Sequence, residues 1–175
     1  MRCYNRRVEN YKLLNDDLHL KNRSDDRLKK LDFNCNDANY NAEFLMKILT
    51  TLKDITKVKQ FTIEMIDAVP NDQEQFKEEK GLFSEEVFDF NNLVKESHGI
   101  NVDFKEIINI LKQCRTVWEL SILVVTSENE LNDSGKVLCE VELIEGDLFT
   151  ILYSEDFPID LFLEEFSTDE ITIED

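Results

Sequence analysis

Catalysis and metal binding need reactive groups that converge, and the chain offers few places to look for them. In the stretch 127–137, SENELNDSGKV, Glu130, Asn132 and Ser134 stand at alternate positions before Gly135, as oxygen ligands do in a calcium loop. The twelfth position of such a loop calls for a bidentate Glu and here holds Val141, and the flanking segments read as strands where an EF-hand has helices. An ordinary hairpin loop is the simpler expectation. Glu164 and Glu165 are adjacent, but on a helix neighbouring side chains leave in different directions, so they do not make an acid–base pair. His19 and His98 are far apart, and neither has a Ser or Cys partner close in sequence. Cys3, Cys35, Cys114 and Cys139 show no CxxC spacing and read as reduced, mostly structural thiols. There is no GxSxG, no Gly-rich phosphate loop and no HExxH. The expectation is therefore a protein without catalytic residues, bound metal or cofactor, with an enzyme of unrecognised type, its carboxylate or metal active site assembled by the fold, as a remaining alternative.

The elements that would position any site are legible from periodicity. With 175 residues, 42% of them hydrophobic and twelve of them Phe, the chain can bury one core, and four Gly and two Pro argue against a linker-dominated architecture. Asn36 or Asp37 can cap a helix over about 37–53, in which Leu45, Ile48, Leu49 and Leu52 recur at helical spacing. Phe61, Ile63 and Met65 alternate with polar residues, predicting a strand over about 58–66 that VPND then turns. Ser84 as N-cap, the stripe Val87, Phe90 and Val94, and Gly99 past the end predict a helix over 84–97. Phe104, Ile107, Ile108 and Leu111 predict another over about 103–115, with Lys112 and Arg115 in its last turn. Three strands follow, about 117–126, 137–145 and 148–153, and Ile159, Phe162, Leu163 and Phe166 predict a final helix over 158–166. The pattern is that of an α+β domain with three to four antiparallel strands packed with helices.

Charge divides the chain further. Nine Lys and Arg against five Asp and Glu give residues 1–31 a net charge of +4, whereas the whole chain carries −18. Residues 1–31 are expected to be a basic, partly ordered arm, and residues 32–175 an acidic α+β domain. After Lys136 there is no Lys or Arg, and thirteen Asp and Glu follow from Glu140 onward. They alternate with apolar residues, so the charge is expected on a rigid surface rather than in a disordered tail. If a two-residue turn closes the hairpin 137–153, Glu140 and Glu142 share a face with Phe149 and Tyr153. Glu119 joins them if Trp118, Leu120, Ile122 and Val124 point inward.

These five residues, Glu119, Glu140, Glu142, Phe149 and Tyr153, are the candidate partner-binding face, either presented or half covered by another part of the chain. A rigid negative surface attracts basic partners and repels nucleic acid and anionic membranes. The leading expectation is a small acidic cytoplasmic binding protein that neutralises or regulates a basic protein, most concretely an immunity- or antitoxin-type inhibitor of a cationic toxin such as a nuclease. The alternative is a nucleic-acid mimic that inhibits a DNA-binding enzyme, of anti-restriction or anti-CRISPR type. The start of the chain lacks the continuous apolar run of a signal peptide, and no apolar run approaches the length of a membrane span.

Overall fold

A computed structural model describes residues 28–35, 38–71, 85–125, 137–166 and 171–174. Among these residues seven strands, β1 (Lys29–Asn34), β2 (Gln60–Pro70), β3 (Ile100–Asp103), β4 (Cys114–Val125), β5 (Val137–Ile144), β6 (Leu148–Tyr153) and β7 (Ile171–Glu174), form one sheet in the order β3-β2-β4-β5-β6-β1-β7. Every neighbouring pair is antiparallel. The helices are α1 (Ala42–Thr56), α2 (Glu85–Ser97), α3 (Phe104–Leu111) and α4 (Ile159–Glu164), with one 3-10 turn at Ala38–Tyr40. The class is α+β, and the expected three to four strands understate the sheet.

The added strands have identifiable causes. β1 begins inside the segment assigned to a basic arm, because Leu31 and Phe33 alternate with Lys30 and Asp32 and turn into the core, where both are buried. The strand therefore starts two residues before the expected boundary at residue 31, while 1–27 lie outside the described residues. β2 runs on to Pro70 rather than turning at VPND, because register shifts after Ile63, Asp67 and Val69 break the period of two that would have revealed it. β4 begins at Cys114, so Arg115 belongs to a strand and α3 ends at Leu111. The proposed cap residues Asn36, Asp37 and Ser84, the calcium-like loop up to Lys136, and Cys3 and His19 lie outside the described residues.

One apolar cluster joins the helices to the inner face of the sheet. Leu45, Ile48, Leu49 and Leu52 of α1, Val87, Phe90 and Val94 of α2, Ile107 and Leu111 of α3, and Phe162 of α4 are all buried in it. Facing them are Phe61 and Ile63, Leu120, Ile122 and Val124, Cys139, Val141 and Leu143, Phe149 and Ile151, and Leu31 and Phe33. Under α4, aromatic rings interlock: Phe162 stacks on Phe166 at 4.8 Å and meets Phe33 edge-on at 5.6 Å, while Phe44 meets Phe149 edge-on at 5.2 Å. At α2 the side-chain amide of Asn91 accepts from Ala68 N at 3.3 Å and donates to Ala68 O at 2.8 Å. It takes the place of a further strand on that edge of β2.

Candidate functional site

The outer face of the sheet gathers the carboxylates. Cross-strand pairing sets Lys30, Leu152, Glu140, Leu123, Thr62 and Asn101 in one row across six strands. The next row holds Asp32, Thr150, Glu142, Ser121 and Met65. Glu64 is the extra residue of the first register shift in β2, and Asp67 lies opposite Glu119. Six carboxylates from β1, β2, β4 and β5 thus share this face: Asp32, Glu64, Asp67, Glu119, Glu140 and Glu142.

Hydroxyls connect them. Ser121 Oγ lies 3.3 Å from Glu140 Oε1 and 3.5 Å from Glu64 Oε2, and its single proton can be given to only one of them at a time. Thr150 Oγ1 donates to Asp32 Oδ1 at 2.7 Å, and Lys30 Nζ lies 2.6 Å from Asp32 Oδ2. Glu140 is only 3% exposed, so its charge sits within the sheet surface, whereas Glu119 and Glu142 are half-buried and Asp67 is exposed. Behind Glu140, burial drives the Cys139 thiol pKa upward and the neighbouring carboxylate adds to the effect. Burial likewise pushes the Cys114 thiol up to about 12. These thiols are neutral packing groups rather than nucleophiles.

The five residues singled out from the sequence do not form one face. Glu119, Glu140 and Glu142 do share the outer side, but Phe149 (0% exposed) and Tyr153 (8%) point the other way into the core. The cause is the hairpin loop. Ile144 pairs with Leu148, so three residues, Glu145, Gly146 and Asp147, close the turn instead of two, and the change of one inverts the face of every residue beyond it. Glu145 and Gly146 both take positive φ, 54° and 82°. The loop is held from outside: Gly146 N donates to Trp118 O at 3.0 Å, Asn41 Nδ2 to Gly146 O at 2.7 Å, and Cys35 N to Asp147 O at 2.8 Å. Trp118 was expected inward with Leu120. The register shift that pairs Asp67 with Glu119 but Ala68 with Val117 leaves Trp118 unpaired in that ladder and 36% exposed, and Val117 takes the inward place.

Asp32, Glu64, Asp67, Ser121 and Thr150 were missed by sequence reasoning. Asp32 could have been found, since KKLDFN alternates like any half-buried strand. Glu64 could have been found too, since it alternates with Ile63; the bulge instead moves Met65, expected inward with Phe61 and Ile63, to the outer face opposite Ser121. Among the described residues, no group of three or more His, Cys, Asp or Glu side chains is placed to hold a metal, and no helix is long and apolar enough to cross a membrane. In comparisons with known proteins, no family model matches the chain, and no curated protein and no solved structure shows significant similarity to it.

Proposed function

We propose that this chain is a cytoplasmic binding protein that docks a basic protein on the outer face of its sheet, most concretely as an immunity- or antitoxin-type inhibitor of a cationic toxin such as a nuclease. The observation that carries the reading is the concentration of six carboxylates on one face of four strands in a chain of net charge −18. Strands hold charges at fixed spacing, so a cationic surface meets a pre-set pattern and little ordering entropy opposes the encounter. Inhibition would work by occupying the Lys and Arg with which the target holds phosphate, without chemistry on either side. The apolar anchors are reassigned. Trp118 (36% exposed) and Ile144 (46%), at the end of the β4–β5 pair, replace Phe149 and Tyr153 as the groups that would hold the complex after encounter.

The test is comparative affinity capture from the native cell with the full chain, wild type against the double variant Glu119→Lys, Glu142→Lys. A stoichiometric basic protein retained by the wild type, lost from the variant, and released as salt approaches about 1 M, where screening shortens to about 3 Å, supports the reading. Equal retention by both proteins, with circular dichroism unchanged, removes the sheet face from the interface.

A further inference from the structure

On a strongly acidic molecule the cations are also unevenly placed. An open groove of about 530 Å³ between the end of α1 and the start of α3 is lined by Lys53, Lys57, Lys59 and Lys105 together with Asp54, Val58, Asp103 and Phe104. Nine Lys fall among the described residues, and four of them meet here. The two carboxylates do not neutralise them. Asp54 lies 3.4 Å from Lys53, and Asp103 is engaged as the N-cap of α3, accepting from Glu106 N at 2.8 Å. Lys57, Lys59 and Lys105 are exposed and have no ion-pair partner among the described residues.

Helix electrostatics explain only half of this arrangement. Lys53 and Lys57 stand at the C-terminal end of α1, where positive charge is favoured. Lys105 is in the first turn of α3, where a cation opposes the helix dipole, and Lys59 belongs to neither helix. Four Lys against two Asp leave the lining a net charge of +2, which an anion in the groove would offset. The wall also has an aromatic member: Phe104 is half-buried, with Lys53 Nζ 4.7 Å from its ring centroid.

We propose that this groove binds a small ligand bearing a di- or triphosphate group, at a site separate from the acidic sheet face. The groove's volume falls in the range of small-molecule sites, and its net positive lining suits a phosphate chain better than a single carboxylate. At about 0.15 M ionic strength the screening length is about 8 Å, so the distant carboxylates are largely masked while the groove lysines act at contact range.

Isothermal titration calorimetry at that ionic strength tests the site, with sodium tripolyphosphate, ATP and adenosine as separate probes. Tripolyphosphate is expected to bind wild type at one site per chain, and the double variant Lys59→Gln, Lys105→Gln to bind it at least about tenfold more weakly, each change removing one charge-assisted contact. The control Lys95→Gln, on α2 and outside the groove, should bind like wild type. All the substituted lysines are exposed, and unchanged circular dichroism establishes that the variants fold. ATP binding more tightly than tripolyphosphate, with the gain lost in Phe104→Leu, identifies a nucleotide. Equal affinity for the two identifies the phosphate chain as the recognised group. Absence of saturable tripolyphosphate binding to wild type, or equal weakening by Lys95→Gln, overturns the proposal.

Discussion

Asn41 illustrates how much one side chain can decide. It is fully buried and stands at the N-terminus of α1, yet its side chain makes no helix cap. It donates through Nδ2 to Val117 O and Gly146 O, both at 2.7 Å, and accepts from Val117 N at 2.8 Å, tying the helix to β4 and to the hairpin loop. Asn41→Ala would leave three buried backbone groups without partners, and a loss of about 3 kcal/mol is expected in urea unfolding. A loss below about 0.5 kcal/mol would mean that water replaces the amide. Cys114 makes a second prediction at this scale. Its folded pKa, pushed up to about 12 by burial, lies above the unfolded value of 9.0. Below pH 9 the thiol is neutral in both states and its contribution is fully present; above it the unfolded chain releases the proton and the folded one does not, so stability falls toward pH 12. The slope is about 1.4 kcal/mol per pH unit. Cys114→Ser lacks that slope, so the stability difference between wild type and variant should narrow between about pH 9 and pH 10. A constant difference would place the thiol in contact with solvent.

Elements inherit their faces from such anchors. The final helix is short, six residues over Ile159–Glu164, yet its inward residue Phe162 touches Phe33, Phe157 and Phe166. Isolated, a helix of that length does not form in water, so packing alone sustains it. Phe162→Ala should cost about 3 to 5 kcal/mol, whereas Glu165→Ala, exposed just past the helix, should change stability by less than about 0.5 kcal/mol. Comparable effects in chemical denaturation would misplace the helix face. Gly99 is constrained in another way: its φ is +108°, and a Cβ there would lie 3.3 Å from Ile63 O, so the turn from α2 into β3 admits little else.

Across the whole molecule, net charge opposes compactness. A chain at −18 repels itself, and the outer sheet face concentrates that repulsion, with Asp67 directly opposite Glu119. Thermal stability should therefore rise as sodium chloride goes from about 10 mM to about 0.3 M and the screening length contracts. Scanning calorimetry across that range checks it. A melting temperature that falls with salt would show that attractive ion pairs outweigh the repulsion.

The amino-acid sequence alone determined the α+β class, the helical stripes around Leu45, Val87, Ile107 and Phe162, and the meander of β4, β5 and β6. In each of these, local periodicity and burial agree. It also determined that Glu119, Glu140 and Glu142 share a side. What it left open is which aromatic groups accompany them, because strand parity depends on loop length. The count of three in the 145–147 loop is stabilised by Asn41, Trp118 and Cys35, which are remote in sequence. The same holds for Trp118 and Met65, whose sides are decided by bulges in the β2–β4 ladder, and for β1, whose partners β6 and β7 lie more than a hundred residues away. Periodicity records which residues alternate. Only long-range pairing decides which of the two faces each set occupies.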